Sequence, residues 1–254
     1  MIAFFTPSDG GLEPHPDARG PWAEDMMHGR LLAGLAAWAI ERDHGEPGFV
    51  PTRLTVDLYK NPRMETTTVA TDVVRAGGRV RAIDAVMHVG GVEVARASTL
   101  WLRETDAPRD DAPHLAAWDA PPPDAAPVEF GGAFEVRGIG GRAFGGPMPR
   151  RSWLRDTNEL VAGQPVSPFV RAALAADFAS PLANSHPNGL DFINADLSLH
   201  LGRQPEGEWI GIEAVDRVAT NGVSVAYCRF HDTIGPIGWS TVCAVLNPRL
   251  APGT

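Results

Sequence analysis

Four polar side chains that could act together on a water molecule occur at alternating positions in the segment DFINADLSLHLGRQP. Asn194, Asp196, Ser198 and His200 fall on one side of this segment, and its other side is apolar (Ile193, Ala195, Leu197, Leu199 and Leu201). The period of two predicts a β-strand with one apolar and one polar face. A carboxylate can act as a general base toward water, and neighbouring polar groups can hold that water. The alternative interpretation is a strand whose polar face is simply exposed to solvent.

A second candidate site lies at the start of a predicted helix. The spacing of apolar residues in EDMMHGRLLAGLAAWAIER predicts a buried helix over residues 24–42. His28 and Gly29 lie near its start, where backbone N–H groups are free and can stabilise negative charge on a carbonyl oxygen. The alternative is that Gly29 serves tight packing and His28 is solvated. Trp22, just before this helix, either shapes a substrate tunnel or packs in the core.

The chain repeats one order of elements twice. In the first half, the predicted helix is followed by RLTVDLYKNP, TTTVATDVVR, RVRAIDAVMHV and VEVARASTLWL, which predict antiparallel strands separated by Gly-containing turns. In the second half, a predicted helix over residues 167–179 with Ser167 as N-cap precedes a similar series of strands. Residues 104–127, rich in Pro, Ala and Asp, predict a linker. This pattern favours curved antiparallel sheets that each wrap a central helix over a flat sheet with its helix on one face.

Composition narrows the classes of function. The chain has 254 residues and a formal net charge of -9, which disfavours binding to nucleic acid or to an anionic membrane. We find no apolar run of the roughly 20 residues that a membrane span needs, and no signal-peptide pattern, so we expect a cytoplasmic protein. Cys228 and Cys243 lack metal-ligand spacing, which predicts no metal site and two reduced thiols. The glycine-rich segment GIGGRAFGG lacks the lysine of a P-loop.

The ordered set of motifs resembles the double-hotdog acyl-CoA thioesterases (type II), including actinobacterial thioesterase-like proteins. The resemblance rests on RGPWAEDMMHGRLLAGL, RLTVDLYKNP and GGVEVARAS in the first half, and on WLRDTNEL, AALAADFASPL, INADLSLHLGRQPEGEW and GPIGWSTV in the second. It implies an α+β double hotdog with a first hotdog over residues 1–103, a linker over 104–127 and a second hotdog over 128–254. It also implies hydrolysis of fatty acyl-CoA to fatty acid and CoA without metal, cofactor or covalent intermediate.

The same resemblance assigns roles to particular residues. Asp196 occupies the position of the family's water-activating acid. The family's hydroxyl partner falls near "EAVDRVAT", where this chain has no threonine at the expected place, and the family's glutamine corresponds to Cys243. Thr241 and Ser198 are the candidate substitutes for the missing helpers. His28, Gly29, Trp22, Ser198 and His200 are the candidate substrate-binding residues.

Three functions therefore follow from the sequence. The first is an acyl-CoA thioesterase of lipid metabolism in which Asp196 activates water. The second is a non-catalytic acyl-CoA or lipid-binding protein that keeps the pocket without the helpers. The third is a hotdog hydratase or dehydratase, which shares the pocket type. Acyl-CoA is the expected partner in each case, and pairing of exposed strand edges suggests a homodimer.

Overall fold

The computed structural model describes residues 2–106 and 118–247. Within these two ranges the chain forms three α-helices: α1 (Arg30–His44), α2 (Pro168–Ala176) and α3 (Ala179–Asn184). The strands are β1 (Ala3–Ser8), β2 (Gly11–Pro14), β3 (Phe49–Leu58), β4 (Thr67–Ala76), β5 (Val80–Val89), β6 (Val92–Arg103), β7 (Val128–Phe130), β8 (Phe134–Gly138), β9 (Arg151–Asp156), β10 (Glu159–Val161), β11 (Phe192–Asn194), β12 (Asp196–Leu201), β13 (Ile210–Thr220), β14 (Val223–His231) and β15 (Pro236–Leu246).

Helix α1 begins six residues later than the prediction over 24–42. The reason is an interaction with residues outside that segment. Arg19 and Met27 form an antiparallel bridge, and the amide of His28 donates to the carbonyl oxygen of Ala18 at 2.9 Å. Because these residues are held extended, the helix can start only at Arg30, with Gly29 as its N-cap.

The second predicted helix, over residues 167–179, is divided in two. Ser167 is its N-cap, as predicted, and the Ser167 hydroxyl accepts a hydrogen bond from the amide of Val170 at 3.1 Å. Helix α2 ends at Ala176, and α3 begins three residues later. Asp177 and Phe178 lie in the turn between them. Asp177 is the C-cap of α2, and Phe178 is the N-cap of α3.

Helices α1 and α2 pack antiparallel in the middle of the molecule. Gly34 makes their close approach feasible, since a β-carbon at this position would lie 2.5 Å from Leu174 Cδ2. At the other end of the pair, the Ser167 hydroxyl is hydrogen-bonded to the Glu41 carboxylate. Eight apolar side chains of α1 are at most 1 % exposed, on all sides of the helix (Leu31, Leu32, Ala33, Leu35, Ala36, Ala37, Ala39 and Ile40). The helix is therefore enclosed, as its all-round apolar sequence predicts.

The strands form one continuous, largely antiparallel sheet around these helices. Its order is β10-β1-β2-β4-β5-β6-β3-β12-β15-β14-β13-β9-β8-β7, and β11 also pairs with β15. The path is open, so the sheet is not a closed barrel. The two halves of the chain meet where β3 pairs with β12, with Asp57 opposite Asp196, and again where β1 runs parallel to β10. The protein is thus mostly sheet with few helices.

The predicted linker over 104–127 is only partly visible. Residues 107–117 lie outside the described residues, and residues 118–127 run along β9, where the Trp153 indole donates to the carbonyl oxygen of Pro121 at 2.9 Å. The boundaries at 103 and 128 stay a prediction. Within the described chain, none of the helices is long and apolar enough to cross a membrane.

The contact between Gly34 and Leu174 can be tested with a double-mutant cycle. We expect Gly34→Ala to destabilise the protein by about 1–3 kcal/mol through overpacking, and Leu174→Ala by about 2–5 kcal/mol through loss of core packing. The double variant should lose less than the sum, because the shortened residue 174 leaves space for the new methyl group. Urea unfolding gives all three free energies. Additive losses would contradict a direct contact between these positions.

Candidate functional site

A cavity of about 780 Å³ opens between the two halves of the chain. The first half contributes the segment before α1 and the end of β3 with its following loop, including Trp22, His28 and Gly29. The second half contributes β8, the α2–α3 turn and the segment around β11, including Asp177 and Asn194. Of the predicted substrate-binding residues, the structure therefore brings Trp22, His28 and Gly29 together at one cavity.

Asp177 supplies a buried carboxyl group to this cavity. Its side chain is only 7 % exposed. Asn194 Nδ2 donates to Asp177 Oδ1 at 2.5 Å and thereby fixes the orientation of the carboxyl group. Burial raises the pKa of Asp177 to about 6, against the opposing effects of the Asn194 hydrogen bond and of the positive charge of Arg30. The carboxyl group consequently changes charge close to neutral pH, as a general base for water should.

His28 lies beside Asp177 as a neutral imidazole. The distance from His28 Nδ1 to Asp177 Oδ2 is 3.7 Å, which is longer than a hydrogen bond. Burial, with a smaller contribution from Arg30, lowers the pKa of His28 to about 3. The ring also contacts Phe134 and Phe178, with centroids 6.3 and 6.0 Å away. His28 is therefore a polar but uncharged residue in the cavity wall, and it does not act as a counter-ion for Asp177.

The start of α1 faces the same carboxyl group. A β-carbon added to Gly29 would be in van der Waals contact with Asp177 Oδ1, at 3.8 Å, so Gly29 adjoins the acid. Within residues 2–106 and 118–247, neither the Gly29 nor the Arg30 amide has a hydrogen-bond acceptor. Two free N–H groups at the positive end of a helix can stabilise an oxyanion.

Arg30 supports the site from behind. The side chain is 1 % exposed and forms an ion pair with Asp156. Its guanidinium group lies over the rings of Phe134 and Phe178, at 4.8 and 5.4 Å from their centroids. These contacts fix both rings and place a buried positive charge near Asp177 and His28.

A β-bulge explains why Asn194 lies inside and Asp196 outside. Asn194 is opposite Ala244 on β15, whereas Ser198 is opposite Thr241, so one extra residue is present between them. The extra residue is Ala195, at the break between β11 and β12. An inserted residue reverses the face on which later side chains lie. The prediction of a single uninterrupted strand with Asn194 and Asp196 on one face is therefore wrong.

The other predicted polar residues lie on the outer face of the sheet. Asp196 Oδ1 accepts a hydrogen bond from the Cys243 amide at 2.6 Å, and the Cys243 side chain is exposed. Ser198 is opposite Thr241 in the sheet. His200 stacks on Trp239 with ring centroids 5.7 Å apart. None of these five residues, Asp196 to Cys243, is among those that line the cavity described above. Their catalytic and binding roles stay predictions.

Asp177 is the site residue that the sequence-based reasoning missed. It lies within the predicted helix over residues 167–179, where a single carboxylate inside the apolar run AALAADFASPL is a detectable signal. Asn194 was noticed, but its partner was not. In the described part of the chain, no group of three or more His, Cys, Asp or Glu side chains is arranged to hold a metal ion.

Comparison with protein-family models gives two matches that together span most of the chain. Residues 18–102 match the acyl-CoA thioesterase N-terminal domain, and residues 117–241 match the acyl-CoA thioesterase C-terminal domain. Comparison with curated protein sequences gives no significant match.

Several solved structures share the fold at low sequence identity. A candidate thioesterase from Novosphingobium aromaticivorans is 18% identical with a TM-score of 0.76, and the alignment covers 97% of this chain and 100% of that one. A hot dog fold protein of unknown function from Alicyclobacillus acidocaldarius is 16% identical with a TM-score of 0.75, covering 97% and 96%. Acyl-CoA thioesterase II TesB2 from Mycobacterium marinum is 16% identical with a TM-score of 0.66, covering 86% and 90%. These likenesses establish a hotdog-type fold.

The buried acid should lower stability at neutral pH. The pKa of Asp177 is raised from 3.8 to about 6, so the folded state favours the protonated form. The stability that this preference gives is complete below about pH 4 and is lost as the pH rises through 6. We therefore expect Asp177→Asn to match the wild type near pH 4 and to exceed it by about 3 kcal/mol near pH 8. Urea unfolding across this pH range measures the difference.

The exposed turn variant Asp9→Asn is the matched control for this measurement. It makes the same acid-to-amide change at a side chain that is exposed. A pH-independent difference between Asp177→Asn and the wild type would contradict the raised pKa of the buried acid.

Proposed function

We propose that this chain, which belongs to the acyl-CoA thioesterase family, hydrolyses an acyl-CoA thioester to a carboxylic acid and CoA with Asp177 as general base. The observation that carries the proposal is the buried Asp177 carboxyl group next to Gly29, where the amides at the start of α1 are free. Thioester hydrolysis needs two kinds of group. One is a carboxylate that accepts a proton from water, and the other is a set of N–H donors that stabilise negative charge on the carbonyl oxygen.

The proposed reaction proceeds through direct attack of water. Asp177 takes a proton from water as the water oxygen bonds to the thioester carbonyl carbon. The negative charge that develops on the carbonyl oxygen faces the Gly29 N–H group at the positive end of α1. The C–S bond then breaks, and the departing thiolate of CoA receives the proton from Asp177. The carboxylate is regenerated, and no covalent enzyme intermediate is formed.

Asn194 and His28 have supporting roles in this proposal. Asn194 holds Oδ1 of Asp177, which leaves Oδ2 directed toward His28 and available for water. Because His28 is neutral, its ring can hydrogen-bond to the water or to the substrate without forming an ion pair that would lower the basicity of Asp177.

The rim of the cavity suits the phosphates of CoA despite the net charge of -9. Arg19 and Lys60, on two separate loops of the first half, line the cavity and form no ion pair with any described residue. Arg142 lies at the rim too, with the Glu129 carboxylate 3.9 Å from its Nε. Surface cations around a cavity attract a polyanionic ligand.

We also propose the double-hotdog arrangement, with boundaries near residues 103 and 128. Its support is that an enclosed helix followed by antiparallel strands occurs in each half, with the two helices antiparallel. The homodimer, the role in lipid metabolism and the cytoplasmic location stay predictions from the sequence. A non-catalytic acyl-CoA binder and a hydratase on the same fold are the alternatives that an assay for thiol release tests.

Two isosteric variants separate Asp177 from the residue that the sequence had suggested. We expect Asp177→Asn to lower kcat for acyl-CoA hydrolysis about a hundredfold or more, since it removes the base and keeps the shape. Asp196→Asn should keep most of the activity if Asp196 only accepts the Cys243 amide. Release of free thiol from a panel of acyl-CoA esters measures both rates. The reverse pattern would favour Asp196, and Thr241→Val and Cys243→Gln would then test its proposed helpers.

The pH dependence of the rate gives an independent test. Because burial raises the pKa of Asp177 to about 6, kcat/KM should rise as the pH increases through 6 and level off above it. His28, with a pKa of about 3, stays neutral throughout and adds no second inflection. Rates measured from about pH 4.5 to 8.5 give the profile. A rise of kcat/KM centred at the ordinary pKa of an aspartate would contradict the assignment of Asp177 as the base.

A further inference from the structure

Four rings line one side of the cavity as a continuous series, which we call the aromatic ladder: His28, Phe178, Phe134 and Phe130. The ring of His28 lies 6.0 Å from that of Phe178, Phe178 lies 5.2 Å from Phe134, and Phe134 lies 5.5 Å from Phe130. All four residues contribute to the cavity wall. The ladder therefore leads from the proposed site of the thioester to the surface.

The outer end of the ladder is an aromatic ring exposed at the surface. Phe130 is 54 % exposed on the edge strand β7, yet its ring stacks on Phe134 with an angle of only 16° between the planes. Phe130 therefore presents an aromatic ring to the cavity that continues the series formed by the inner rings.

The inner rings are held in fixed positions. The guanidinium group of Arg30 lies behind Phe134 and Phe178, and it is itself held by Asp156. Walls that cannot rearrange favour a flat, rigid ligand that matches them, because such a ligand loses little conformational freedom on binding. A flexible alkyl chain loses more and has no aromatic edge or face of its own to pair with these rings.

We propose that the aromatic ladder selects acyl-CoA esters with an aromatic ring close to the thioester, such as arylacetyl groups, over straight-chain acyl groups. This inference rests on the proposed function for the position of the thioester. With the carbonyl carbon at Asp177 and Gly29, a ring one or two carbon atoms away lies beside Phe178 and Phe134. A straight chain of the same carbon number would lie beside the same rings without their edge and face contacts.

The competing substrate is a straight-chain acyl group, since aliphatic side chains such as Leu58 and Ile193 also line the cavity. The size of the acyl group alone does not separate the two. Phenylacetyl and octanoyl esters have the same number of carbon atoms, and cyclohexylacetyl has the same carbon skeleton as phenylacetyl but a puckered ring without a π-system. These three CoA esters form a matched set.

The test compares both turnover and binding on the full chain. Turnover is measured as kcat/KM for phenylacetyl-, cyclohexylacetyl- and octanoyl-CoA. Binding is measured by calorimetry with the corresponding non-hydrolysable thioethers, S-(2-phenylethyl)-CoA, S-(2-cyclohexylethyl)-CoA and S-octyl-CoA. We expect the phenyl compound to be favoured about tenfold over each of the others, from two ring contacts that each contribute a factor of about 2–12.

Variants then locate the source of the preference. Phe130→Leu, at an exposed position that tolerates substitution, and Phe134→Leu should each reduce the phenyl-to-cyclohexyl ratio at least twofold. Phe144→Leu, which is the same change in the same cavity but outside the ladder, should keep the ratio.

Equal or stronger binding of the octyl or cyclohexyl thioether, or a ratio unchanged in both ladder variants, would overturn the inference even if the esters are hydrolysed. Phenyl-selective binding without release of thiol from any ester would support the ladder and would instead refute the proposed hydrolysis.

Discussion

The close antiparallel approach of α1 and α2 is the constraint on which the site depends. Gly34 removes the side chain that would collide with Leu174, so the two helices lie directly against each other inside the sheet. Their antiparallel direction brings the end of α2 to the start of α1. Asp177 and the free amides before α1 are neighbours for this reason, although they are far apart in the sequence. A wider spacing between the helices would separate the Asp177 carboxyl group from the free amides at the start of α1.

Asp177 is kept in an environment that opposes its charge, and the surrounding residues only partly compensate. Asn194 donates one hydrogen bond, and Arg30 contributes a positive charge that Asp156 largely neutralises. If Arg30 were unpaired, its charge would favour the carboxylate more strongly and make it a weaker base. The buried ion pair therefore adjusts the basicity of the acid, while its guanidinium group also fixes the aromatic rings beside it.

Much of the architecture could be predicted from local sequence patterns, and the arrangement of the site could not. Enclosed helices, the Ser167 cap and the series of strands follow from periodicity and turn residues, which act over short distances. The start of α1 depends on a bridge between Arg19 and Met27, and the inward direction of Asn194 depends on the bulge at Ala195. Both features are pairings between distant segments, and alternation along one strand does not reveal them. His28 and Gly29 were found because helix starts have a local signature, whereas Asp177 was hidden in an apolar run.

The hydrogen bond between Ser167 and Glu41 can be compared with the contact at the opposite end of the α1–α2 pair. At one end of the pair, the start of α1 lies beside Asp177, which follows α2. At the other end, the start of α2 lies beside Glu41, near the end of α1. Here, however, the Ser167 hydroxyl accepts from an α2 amide and bonds to the acid, and Pro168 has no N–H to offer. The polar groups at this end of the helix pair are thus hydrogen-bonded to one another. One start of the helix pair therefore keeps free amides beside a cavity, whereas the other is closed by its own cap and a neighbouring acid.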